Sequence, residues 1–236
     1  MGEAFDNAMG ELAALDPTES DLTRPVLRAV PLSGASVSTL GGLLAQETVS
    51  ASDAQAGRLD ELQFDLGEGP CWDAVSTGQP VIEPDVQRHP SRVWPGFSEA
   101  LRDEPIGALF AFPLSVGTLR FGALDLYDRE PSTLTDTQAA RIDAMTALIS
   151  RHVLRRAIRL ARDVDAAPER SGHSRRAVHQ ATGFVIAQLG LAPDDAHLLI
   201  QGQALAQGQS MAEVAEDIIA RRLTFVRNAD RIEAER

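Results

Sequence analysis

Arginine carries the most pointed chemistry in this chain. Lysine is absent, and between Arg151 and Arg176 there are eight arginines against three acids. Such a run can attract a polyanion. Arg175 and Arg176 open a predicted helix, where backbone N–H groups also favour anions. The plainer alternative for the pair is a solvated helix start. Gln180, Gln201 and Gln203 follow as side-chain hydrogen-bond donors. Phe184 reads as core. Gly183, costing about 1 kcal/mol against Ala in a helix interior, reads as a point of close helix–helix approach. A second chemistry is apolar. Trp72, Trp94, Phe97, Phe110, Phe112 and Phe121 could line a small-molecule pocket or simply fill a core. Asp125 and Tyr127, at the end of a strand, could reach a ligand there. The lone thiol, Cys71 beside Trp72, reads as a buried small hydrophobe. His89, His152, His173, His179 and His197 show no pair at a ligand spacing, so no metal site is expected. No nucleophile elbow, P-loop or zinc-hydrolase signature occurs, so no catalytic residue is assigned.

The elements that must position these residues fall into two halves. Residues 1–150 carry 9 Arg against 23 acids, and residues 151–236 carry 13 against 11. The acidic half would repel a polyanion that the junction could hold. No stretch reaches the ~20 apolar residues of a membrane span. The acidic first twenty residues lack signal-peptide order, and one cysteine forms no intrachain disulfide, so the expected location is the cytoplasm.

Residues 1–33 read as an N-terminal helix or loop and a lead-in helix. Residues 35–49 read as two strands about a Gly41-Gly42 turn. A helix is expected over about 53–64, then a Gly/Pro turn into a short helix at 67–75. A short strand follows at 79–85, and an irregular segment with a short helix at 88–104. From Ile106 through Ala108, Phe110, Phe112 and Leu114 the apolar residues alternate, and Leu119 to Tyr127 answer them across SVGT as a hairpin. Thr135-Asp136 caps a long helix to about Ala161. On it Ile142, Met145, Ile149, Val153 and Leu160 lie close to one stripe, with His152 and Arg156 on or beside it. The stripe suits a parallel dimer contact or packing back on its own sheet. DVDAAPERSG breaks the pattern. Three helices follow: about 174–189, Pro193 to about Ala206, and one capped by Ser210 and Glu213 running to about Leu223. The expected class is α+β: an antiparallel sheet flanked by helices, a long linking helix, then a three-helix bundle.

Two stretches carry a resemblance. HSRRAVHQATGFVIAQLGLAPDDAHLLIQGQALAQGQSMAEVAEDIIARRLTF, residues 173–225, resembles the ANTAR domain. It does so through the arginine before the first helix, the Ala181-Thr182-Gly183 step, Ala196, and Val214-Ala215. LGEGPCWDAVSTGQPV at 66–81, with the 106–127 hairpin, resembles a GAF domain. The resemblance implies a signal-responsive regulator of transcription antitermination, with these parts: an N-terminal segment 1–19, a GAF-like sensor 20–160 that includes the linking helix, an ANTAR-like module 161–226, and a tail 227–236. It implies a homodimer that binds RNA stem-loops, with RNA contacts at Arg175, Arg176, Gln180, Thr182, Gly183 and Gln201. Many ANTAR domains carry lysine where this chain has Thr182, and arginine near Gln201. The GAF half implies a pocket among the six aromatics, open to a small-molecule ligand of unknown identity, and no cofactor. A sensor kinase or other signalling protein is a further partner. One GAF subclass reduces free methionine sulfoxide with several cysteines, and this chain has one, so no enzyme is expected. The rival reading is a protein-interaction adaptor whose ANTAR-like module no longer binds RNA. A DNA-binding helix-turn-helix ranks third, because the turn between the second and third helices lacks a polar, base-reading face.

Overall fold

The computed structural model describes residues 2–16, 18, 21–40, 44, 46–162, 173–228 and 231–235. The expected Gly41-Gly42 turn and the break at 163–172 lie outside the described residues. The chain divides into two units, Met1–Ser171 and Gly172–Arg236.

In the first unit the alternating stretches become strands: β1 (Gly34–Thr39), β2 (Glu47–Ala51), β3 (Val81–Glu83), β4 (Ala108–Val116) and β5 (Leu119–Asp128). They form one antiparallel sheet in the order β2-β1-β5-β4-β3. Phe110 pairs with Leu126 and Phe112 with Leu124 across the predicted hairpin. At Gly122 on β5 a Cβ would lie 2.0 Å from the Ser38 carbonyl oxygen, so only glycine lets β1 and β5 approach there.

Among the described residues, six helices cover this sheet: α1 (Gly2–Ala14), α2 (Thr23–Ala29), α3 (Ala54–Leu66), α4 (Pro70–Thr77), α5 (Pro95–Ala100) and α6 (Asp136–Arg162). Asp53 caps α3, accepting the Ala56 N–H at 2.9 Å. α6 starts on a reciprocal cap, with Gln138 N–H donating to Thr135 Oγ1 at 3.2 Å and Thr135 N–H to Gln138 Oε1 at 2.9 Å. Ile142, Met145, Ile149 and Val153 of α6 are buried in the core with Phe110, Phe112 and Leu114. Over these turns the apolar stripe packs on its own sheet. Ser150 Oγ accepts the Ser115 N–H at 3.0 Å, and Arg156 pairs with Glu47 of β2 at 3.4 Å. Leu160, further along, is half-buried. Ala8 and Leu12 of α1 are buried in the same core, so the N-terminal segment is part of it.

The second unit packs α7 (His173–Leu189), α8 (Pro193–Gln207) and α9 (Met211–Ile219) around Val178, Ala181, Val185, Ile200, Val214 and Ile218. Ser210 and Glu213 form the predicted capping box. The third helix stops four residues before the expected Leu223. Arg221 takes a left-handed φ of 58° and Arg222 Nε donates to Asp217 Oδ1 at 2.8 Å, turning the chain. The expected tail is a strand pair instead, β6 (Thr224–Asn228) with β7 (Arg231–Glu235). It is held because Leu223, Phe225 and half-buried Ile232 join the helical core. A two-stranded hairpin without such support would be marginal in water.

Candidate functional site

The sheet of the first unit has two unlike faces. One packs against α1, α2 and α6 and contains Phe110, Phe112, Phe121 and Leu124. The other, under α3, α4 and α5, carries buried polar groups. A cavity of ≈ 10 Å³ there is lined by Ser36, Leu59, Gln63, Asp125 and Tyr127 among others, with Phe110 reaching its wall. That is space for about one water. Gln63 lines the cavity through a bonded side chain. Its side-chain carbonyl accepts the Cys71 N–H at 2.8 Å, and its amide points at Asp125 Oδ2 at 3.4 Å. Its backbone carbonyl accepts the Trp72 indole N–H at 2.8 Å.

Tyr127 donates its hydroxyl to Asp53 Oδ1 at 3.0 Å. Burial, then the bond to Asp53, pushes the Tyr127 phenol above its ordinary pKa. Burial also works against ionised Asp53, but hydrogen bonds from Ser52, the Ala56 N–H and Tyr127 outweigh it and hold the carboxyl below its usual range. A second cavity of ≈ 10 Å³ is lined by Glu83, His89, Trp94, Phe97 and Leu101, and it shares Leu109 with the first. Burial raises the Glu83 pKa. Trp94 Nε1 donates to Asp73 Oδ2 at 3.0 Å, tying the start of α5 to α4.

The six aromatics named from the sequence therefore scatter. Phe110 reaches the first cavity, Trp94 and Phe97 line the second, and Trp72 is half-buried on α4. Phe112 and Phe121 lie in the opposite core, and so does Phe110, two residues from Phe112 and on the same face of β4, although it also reaches the cavity wall. Asp125 and Tyr127 do face the cavity side. Gln63, Ser36 and Asp53 were not singled out from the sequence. Asp53 could have been found as the cap before the 53–64 helix, whereas Gln63 reads like any solvated helical polar residue.

In the second unit, Arg176, Gln180 and Gly183 share the exposed face of α7. Arg175 points the other way and is only 3% exposed. The expectation of two phosphate-binding arginines narrows to Arg176. Thr182 is half-buried and donates its hydroxyl to the Val178 carbonyl at 2.8 Å, so it is spent on its own helix. Gln201 is half-buried on α8. Phe184, expected in the core, is 40% exposed. Gly183 has no atom within 4 Å of where a Cβ would stand, so close helix packing does not explain it. His179 and His197 sit near each other. Burial first, then Arg175 for His179 and His179 for His197, lowers both imidazole pKa values.

A groove of ≈ 430 Å³ runs along α6, lined by Leu12, Val116, Leu148, Leu154 and Ile158 with Arg151 and Arg155 at its rim. Among the described residues no three His, Cys, Asp or Glu side chains converge as a metal site, and no helix is long and apolar enough to cross a membrane.

Comparison with known proteins places both units. Residues 17–154 match the family model described as GAF domain, and residues 169–219 match that described as ANTAR domain. The structure resembles the GAF domain of a phosphoenolpyruvate-protein phosphotransferase from Coxiella burnetii, with TM-score 0.53 and 14% identity over 67% of this chain and 95% of that one. It also resembles the GAF domain of the Acinetobacter phosphoenolpyruvate-protein phosphotransferase, with TM-score 0.51 and 12% identity over 65% and 92%. At these identities the likeness shows the fold alone. No curated protein matches the chain.

Proposed function

This chain belongs to the GAF family and carries an ANTAR domain, and from that premise we propose that it binds RNA stem-loops as a homodimer to cause transcription antitermination under control of its sensor unit. The observation that carries the reading is α7. It contains no acidic residue in 17 and exposes Arg176 and Gln180 on one side. An acid-free, cation-bearing face suits a polyanion. In the sensor unit, the cavity lined by Gln63 is where a small-molecule ligand would enter, displacing the carboxamide from the Cys71 N–H and so loosening α4 from α3. Nothing in this scheme requires catalysis, a cofactor or a metal. For the dimer, exposed Ile158 of α6, with half-buried Leu148 and Leu154 in the groove beside it, is the better contact. A signal would then shift the population of two helix arrangements. A sensor kinase or other signalling protein could supply that signal, and the cytoplasm is the fitting compartment.

The test is RNA affinity against salt. Log K should fall by roughly 0.7 to 0.9 per phosphate contact. Arg176→Ala should weaken binding to a stem-loop and make the slope shallower by roughly one unit. Thr182→Lys with Gln201→Arg should strengthen it. A second reading has its own support: residues 177–220 contain no arginine and Arg175 is buried. If neither the parent nor that double variant binds RNA at low salt, the module is a protein-docking adaptor.

A further inference from the structure

We propose that Phe184 is a stacking platform for an unpaired base of the RNA loop, with the bare backbone at Gly183 letting the nucleotide approach. The proposal rests on the RNA reading above. At about 100° per residue, Arg176, Gln180, Gly183, Phe184 and Ala187 fall within an arc of roughly 100° on α7. All five are exposed. Phe184 is 40% exposed and stands outside the apolar cluster to which Val178, Ala181 and Val185 of the same helix belong. Beside it stands a glycine that costs helix stability and touches nothing. Together they leave a flat π-surface with open space along its edge, the form on which bases stack irrespective of sequence.

Charge selects the occupant. α7 has two arginines and no acid, whereas α8 begins with Asp194 and Asp195 and α9 carries Glu213, Glu216 and Asp217. The exposed apolar residues of α8, Leu198 and Leu205, share their helix with that acidic start. Phe184 shares its helix with two arginines and no acid. Arg176 lies two turns back, about 12 Å along the axis. The phosphate it meets and the base on Phe184 therefore belong to different nucleotides of one strand.

The experiment measures binding of the full chain to a stem-loop RNA carrying 2-aminopurine in its loop. Phe184→Ala should weaken binding by roughly 5- to 150-fold, the range for one stacked base, and abolish the quenching of the probe. The salt slope should stay unchanged, because stacking releases no counterion. Phe184→Trp should keep affinity and quenching, while Phe184→Leu should lose both. Gly183→Ala should raise the melting temperature of the free protein and yet weaken binding, since the added methyl meets nothing until RNA arrives. If the parent binds and Phe184→Ala binds as well, the platform is overturned while the RNA reading stands. Full affinity in Phe184→Leu would reduce the contact to apolar burial and overturn stacking. A parent that binds no RNA at low salt ends both readings. If Phe184→Ala instead turns a dimer into a monomer by light scattering, the face is a contact between copies, and the proposal is wrong.

Discussion

Arg175 faces the interior of the helical unit and Arg176 faces water because neighbours on a helix differ by about 100° in direction. A pair of arginines in sequence is thus one surface cation and one buried charge. The buried one shapes its surroundings. Burial, reinforced for His179 by Arg175 and for His197 by His179, disfavours the protonated imidazoles in the fold. Both folded pKa values lie below the unfolded value of about 6.5. The unfolded state therefore binds more protons as pH falls, and stability rises with pH. The contribution is fully present above about pH 6.5 and is lost as pH falls through the lowered folded values. Thermal melts of residues 172–236 should show a lower Tm at pH 5 than at pH 7.5. In the double variant His179→Gln with His197→Gln that difference should shrink. A double variant with an undiminished difference would assign the pH dependence to the carboxylates.

Elements that share a sequence pattern divide their work by face. α6 buries Ile142, Met145, Ile149 and Val153 on the sheet, packs half-buried Leu148 and Leu154 against the edge of the same core, and leaves Ile158 exposed. Ile149→Ala should cost about 2–5 kcal/mol through the cavity it leaves, read as a lower midpoint in urea. Its effect on subunit association should be secondary to that loss. Ile158→Glu, at a 46% exposed position, should leave the melt nearly unchanged and abolish the dimer in light scattering. A dimer that survives Ile158→Glu would move the contact elsewhere. The hairpin β6–β7 was missed in sequence for a related reason. Thr224 and Val226 alternate with Phe225 and Arg227, a strand signal, but only five residues long and directly after a strong helix pattern.

At the scale of the whole molecule, two cores account for two units, and each should melt by itself. Residues 2–162 should unfold cooperatively, by circular dichroism. The shorter fragment 20–160 lacks α1, whose Ala8 and Leu12 are buried, and should be less stable by about 2–5 kcal/mol or more. Ending the chain at residue 226 removes β7 and the half-buried Ile232, and should lower the Tm of the helical unit. Equal stability of the 2–162 and 20–160 fragments would show that α1 is an ornament on the core.

The sequence by itself determined the two-part order, the antiparallel hairpin at 106–127, the capped long helix and the three C-terminal helices. Each of these rests on local rules: period-two alternation, capping pairs, and proline or glycine stops. Both family assignments were likewise legible, from contiguous stretches such as Ala181-Thr182-Gly183. What only the tertiary structure decided is which side of each element meets what. Phe112 and Phe121 went to the helix-packed core, Gln63 to the cavity, Arg175 inward and Phe184 outward. The reason is physical. Periodicity states that residues share a face, but a face becomes core or surface only when another element lands on it. That choice depends on the packing of distant segments, such as α1 on α6 or β6 on α7, which no local pattern encodes.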